Sequence, residues 1–160
     1  MVKKSISVIR CIFLVCLILL SLILLSHNKI SRNYVFSNSI EDVVSIELLY
    51  NQNSGGEGID SSNIHSIRLL TTEEIHPFME EIYRLETRTA NPPPSGWGCY
   101  LAKVTYSNGD VEMLGSYNIE YILAGHVPTG IGTYFFTGDA FEKLFSSYID
   151  TTQYPYIGIT

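Results

Sequence analysis

The run from Cys11 to Leu25, CIFLVCLILLSLILL, carries no charge, and Ser21 is its one polar residue. It decides where the rest of the chain lives. As a helix it is about 22 Å long at 1.5 Å per residue, short of the roughly 30 Å hydrocarbon core of a bilayer. Extending it back to Ile6 supplies the missing length. Arg10 then lies one turn from the helix end, where its long stem reaches the headgroups. Lys3, Lys4 and Arg10 would also suit the start of a cleaved secretory signal. The small residues that cleavage needs at −1 and −3 are missing, since a cut after Ser26 puts Leu24 at −3. A lipoprotein anchor fails too, because Val15 precedes Cys16 and Arg10 precedes Cys11. The expectation is an uncleaved transmembrane anchor over residues 6–26, with 1–5 cytoplasmic and 27–40 a polar tether. Basic residues ahead of the span outnumber Lys29 and Arg32 behind it, which directs the C-terminal part to the extracytoplasmic side of the cell membrane, on a single-pass protein.

The part beyond the anchor is long enough for one domain with a real core, expected over 41–160. Only Arg68, Arg84, Arg88, Lys103 and Lys143 are basic there, whereas all sixteen acidic residues of the chain fall in it. That field repels polyanions, so nucleic acid is a poor partner, and so are anionic headgroups beyond Lys29 and Arg32. Cationic peptides, basic proteins and divalent cations are compatible with it, although acidity alone more often serves solubility. Cys99 is the one cysteine outside the anchor, which rules out a disulfide within the domain. A monomeric soluble part held by its core alone is expected. All eleven tyrosines and the single tryptophan lie outside the anchor and favour β structure with a buried interior.

Val43–Tyr50 reads as a first strand and Ile64–Leu70 as a second, separated by a Gly/Ser/Asn-rich loop over 51–63. Glu57 and Asp60 in that loop lack the ligand spacing of a calcium loop. Thr71 and Glu74 have capping-box spacing. Ile75, Phe78, Met79, Ile82 and Leu85 recur at helical intervals, so a helix is expected to end near Glu86 or Arg88, with Pro77 disturbing its start. Tyr100, Ala102, Val104 and Tyr106 alternate with Leu101, Lys103 and Thr105, and Asn108-Gly109 suits a two-residue type I′ hairpin turn. That turn sets Tyr106 opposite Val111 and Val104 opposite Met113, with both sets on one face. Short strands follow at Ile119–Leu123 and Thr133–Thr137. Asp139 is placed to cap a last helix whose buried face is Phe141, Leu144, Phe145, Tyr148 and Ile149. The fold class is therefore α+β: a two-layer domain with a mainly antiparallel sheet and two helices on one face, after an N-terminal transmembrane helix.

The anchor, Ser45-Ile46-Glu47-Leu48, the helix from Thr71 to Leu85, the turn Tyr106-Ser107-Asn108-Gly109-Asp110 and the Phe-rich closing helix resemble small exported or membrane-anchored proteins of Gram-positive bacteria. That resemblance implies a compartment and no activity.

No catalytic signature stands out. Cys99 with His65, His76 or His126 is the only thiol nucleophile set, and a half-buried inert thiol on the face opposite Tyr100 is the plainer reading. The same residues are too dispersed for zinc. A Gly-x-Ser-x-Gly elbow and a phosphate loop are absent. No cofactor or metal is expected. Glu73, Glu74, Glu80 and Glu81 read as a solvated helix face. Pro92-Pro93-Pro94-Ser95-Gly96-Trp97 puts the only tryptophan beside a stiff loop. Trp97, Pro93, Pro94 and Tyr100 are the candidate ligand-binding residues, with Trp97 as a hot spot for a cationic group. Against this stands Trp97 as a cover for the end of the core. The expected function is an anchored binding or sensing module with a protein or peptide partner. The alternatives are an envelope hydrolase with a hidden carboxylate pair, such as Glu120 with Asp110 or Glu112, and a structural subunit of a membrane complex.

Overall fold

The computed structural model describes residues 34–53, 61–89, 96–126 and 134–157. The expected anchor, Pro93, Pro94, most of the Gly-rich loop and the Gly-containing stretch 127–133 lie outside the described residues. Among the described residues no helix is long and apolar enough to cross a membrane.

Among the described residues seven strands form one sheet. They are β1 (Val43–Asn51), β2 (Ile64–Leu69), β3 (Thr87–Thr89), β4 (Tyr100–Tyr106), β5 (Val111–Gly115), β6 (Asn118–Ile122) and β7 (Tyr134–Phe136). Their order is β2-β1-β4-β5-β6-β7-β3, and every pairing is antiparallel. Two helices, α1 (Thr72–Arg84) and α2 (Ala140–Ser146), complete an α+β domain. β4 is central and alternates strictly. Tyr100, Ala102, Val104 and Tyr106 join the larger core with Ile46, Leu48 and Tyr50 of β1, Phe78, Met79 and Ile82 of α1, and Phe141 and Phe145 of α2. Leu101 points the other way, into a smaller cluster with Leu49, Met113, Ile122 and Trp97. Each large aliphatic or aromatic side chain so buried contributes about 1.5–3 kcal/mol.

α1 starts where the capping box predicts: the Glu74 carboxylate accepts the Thr71 N–H at 3.0 Å. Pro77 is accommodated inside the helix. The helix stops at Arg84, short of the expected end, because Leu85 turns into an extended conformation. The chain then forms β3, a three-residue edge strand that carries no readable periodicity. Asp139 occupies the N-cap position of α2 without a side-chain cap bond, and its carboxylate pairs with Lys143 at 2.9 Å instead. Tyr148 and Ile149 follow α2 rather than belonging to it, half-buried against the larger core.

The β4–β5 hairpin corrects the expected register by one residue. Thr105 pairs with Val111, Val104 with Glu112, Lys103 with Met113 and Ala102 with Leu114. The loop has three residues: the Gly109 N–H donates to the Tyr106 carbonyl at 2.9 Å, and the Tyr106 N–H to the Asp110 carbonyl at 3.0 Å. Gly109 has φ +88°, while Asn108 does not enter positive φ, so the turn is not type I′. It is the type I turn followed by a left-handed glycine, and the Asn108 Oδ1 supports it by accepting the Asp110 N–H at 2.9 Å. Because side chains alternate along a strand, the one-residue slip turns β5 over. Val111 and Met113 face the smaller cluster, and Glu112 and Leu114 face the larger core.

Candidate functional site

The slip carries a carboxylate into the interior. Glu112 is 0 % exposed. Its Oε2 accepts the Tyr106 hydroxyl at 2.5 Å, and its Oε1 accepts the Tyr34 hydroxyl at 2.8 Å and the Ser37 N–H at 3.4 Å. Burial pushes the Glu112 carboxyl above its usual range, against the opposing pull of these three donors. The Tyr34 and Tyr106 phenols are driven far above theirs, first by burial and then by the neighbouring Glu112. They therefore stay protonated donors across the neutral range.

A second carboxylate lies on the same face. Asp110 accepts the Tyr121 hydroxyl, the Asn108 Nδ2 at 2.7 Å and the Ala124 N–H at 2.9 Å. The Tyr121 hydroxyl and the Ala124 N–H hold its carboxyl below the ordinary value. Tyr121 is the cross-strand neighbour of Glu112, and the Asn38 amide donates to its hydroxyl at 3.4 Å.

Residues 34–38, part of the stretch read as a tether, form the wall in front of Glu112. Phe36 stacks on Tyr83 of α1 with ring centroids 4.2 Å apart, and Tyr34 meets Phe36 edge-on at 5.0 Å. The Tyr83 hydroxyl donates to the Asn38 carbonyl at 3.0 Å. Between these groups is a hollow of about 320 Å³ lined by Tyr34, Val35, Phe36, Asn38, Tyr83, Leu85 and Thr87. Its size is at the lower end of small-ligand sites, and its lining of apolar and aromatic groups with a few polar ones is of the usual kind. Burial first, then Glu112 and Glu41, pushes the Tyr83 phenol up to about 12.

The residues singled out from the sequence are not brought together here. Trp97 is 0 % exposed in the smaller cluster, and Tyr100 is equally buried with its hydroxyl donated to the Tyr154 carbonyl at 2.7 Å. Trp97 offers no surface, so its hot-spot reading gives way to the core reading, a large ring drawn inside as the chain enters an interior strand, whereas Tyr100 is covered by residues 154–157. Cys99 is buried on the same side as Tyr100, not on the opposite face, since it precedes β4 at a bend. Burial raises its thiol pKa, and His65, His76 and His126 are exposed. Among the described residues no group of three His, Cys, Asp or Glu side chains is placed to hold a metal ion. Glu120 pairs with Met113 and so faces away from Glu112, which removes that acid/base pair. Asp110 and Glu112 share a face, but hydroxyls and N–H groups occupy the oxygens of both.

What sequence reasoning missed is Tyr34, Phe36, Tyr83 and the burial of Glu112. The two aromatics in an otherwise polar stretch were the signal for the first part. Comparison with protein-family models, curated proteins and solved structures returns no match.

Proposed function

We propose that this chain is a membrane-anchored, extracytoplasmic binding or sensing module whose ligand is a small organic cation or a cationic side chain. The observation that carries the reading is a hollow lined by Tyr34, Phe36 and Tyr83, with the Tyr34 hydroxyl bonded to the buried Glu112 carboxylate. Ring faces and a nearby anion attract an alkylammonium group, worth about 0.5–2 kcal/mol per well-placed ring. The acidity of the domain draws cations toward it and repels anions. One wall of the hollow is formed by residues 34–38.

Calorimetric titration of the detergent-solubilised full chain tests the reading. Tetramethylammonium and spermidine should bind and acetate should not, and Tyr83→Ala should weaken the cations at least tenfold. Equal binding of acetate, or an unchanged affinity in Tyr83→Ala, would remove it. External protease on intact cells tests the address: the domain should be digested without lysis.

A further inference from the structure

At the other end of β4 the chain lies across its own domain. After the turn at Asp150–Gln153, residues Tyr154–Ile157 run without regular secondary structure over Tyr50, Cys99 and Tyr100. The hold on this strap is mostly through its main chain. The Tyr100 hydroxyl donates to the Tyr154 carbonyl at 2.7 Å and the Tyr50 hydroxyl to the Pro155 carbonyl at 2.9 Å. The Ile157 N–H donates to the Cys99 Sγ at 3.4 Å. Contacts of this kind are indifferent to the side chains of the strap, as in peptide recognition by main-chain hydrogen bonds. Apolar contact is uneven along it: Tyr154 packs against the larger core with its ring 5.5 Å from that of Tyr50, and the Tyr156 ring lies 5.6 Å from that of Tyr100, but Tyr156 is 43 % and Ile157 46 % exposed. The more exposed end of such a segment opens first.

One side chain under the strap is poorly served. Glu142 of α2 is only 7 % exposed. Its Oε1 accepts the Tyr156 hydroxyl at 3.2 Å, and that hydroxyl also lies 3.3 Å from the Tyr117 hydroxyl. Its Oε2, buried, has no hydrogen-bond partner among the described residues. A buried polar group left unpaired is expensive, more so for a carboxylate. The tyrosine at 156 therefore fills this position without satisfying it, whereas an ammonium or guanidinium would supply the missing charge-assisted bond.

We propose that the groove formed by Tyr50, Cys99, Tyr100, Tyr117 and Glu142 is a binding site for an extended peptide bearing lysine or arginine, and that Tyr154–Ile157 is its resident placeholder. The tyrosine hydroxyls and the thiol read the peptide main chain, and Glu142 reads the basic side chain at the place of Tyr156. The acidic domain favours such a partner, and the tethered placeholder sets a threshold that a foreign peptide must exceed. This site is separate from the hollow beside Glu112, and neither depends on the other.

The test begins with the strap itself. Tyr156→Lys in the full chain should raise the thermal midpoint, and the gain should vanish in the Glu142→Gln background. The absence of a gain with Glu142 intact would overturn the proposal. The second measurement uses fluorescence polarisation with labelled peptides on the full chain carrying Tyr156→Ala, which removes the strap's hydrogen bond to Glu142 and leaves every groove residue in place. Tyr-Pro-Lys-Ile should bind at least tenfold tighter than Tyr-Pro-Glu-Ile, and Glu142→Gln should erase the difference. Equal affinities, or no binding of the lysine peptide, would overturn it as well.

Discussion

Trp97 lies so close over Gly115 that no side chain fits between them. A Cβ on Gly115 would stand 2.5 Å from the Trp97 carbonyl oxygen and 3.2 Å from Cε3 of its ring. The ring closes the smaller cluster on the sheet face away from the helices, and its Nε1 has no hydrogen-bond partner among the described residues. Gly115→Ala must push backbone as well as side chain, and should lower stability by about 1–3 kcal/mol, read as a lower urea midpoint. The Trp97 emission of the parent should be blue-shifted and resistant to iodide. An alanine variant as stable as the parent, or a quenchable red-shifted emission, would show that the ring is not seated there.

Gly109 is the hinge of the β4–β5 hairpin. Its φ of +88° is a conformation that a β-branched residue resists. Gly109→Val should cost about 1–3 kcal/mol. Thermal unfolding checks this, and a midpoint equal to the parent's would contradict the three-residue loop.

The hairpin also shows where sequence reasoning stops. The α1 stripe of Ile75, Phe78, Met79 and Ile82, the capping box at Thr71 and Glu74, and the alternation in β4 were all legible, because each repeats a period over several residues. The register of β5 was not. Asn108-Gly109 suits both a two-residue and a three-residue loop, and one residue decides which face receives Glu112. The expected pairing put Val111 and Met113 in the larger core, an arrangement that looks better by hydrophobicity alone. The fold accepts Glu112 there because Tyr34 and Tyr106 bring hydroxyls to it, and Tyr34 lies 78 residues away in sequence. Contacts of that range leave no local trace. The three-residue β3 and the placement of the C-terminal strap escaped for the same reason.

Glu112 should leave its mark on the pH dependence of stability. Burial raises its native pKa above the unfolded value, so the native state holds the proton more tightly. The associated stabilisation is complete below the unfolded value and is lost as pH rises through the native one. The parent should therefore lose stability relative to Glu112→Gln as pH rises from the ordinary glutamate value upward. Urea midpoints for both chains across that window give the difference. A difference that stays level, or that moves in the parent's favour with rising pH, would contradict a buried, charge-disfavoured carboxylate.

On the proposed reading the buried Glu112 carboxylate recruits a cation to the hollow of Tyr34, Phe36 and Tyr83. The most direct test of that reading is the titration of the Glu112 side-chain carboxyl by carbon-13 NMR, in the full chain with and without saturating tetramethylammonium. Without the cation the midpoint should lie above that of an ordinary glutamate. With it the midpoint should fall, because a positive charge in the hollow favours the ionised form and, by linkage, ionisation favours the bound cation. A midpoint that stays in place when the cation is added would contradict the account.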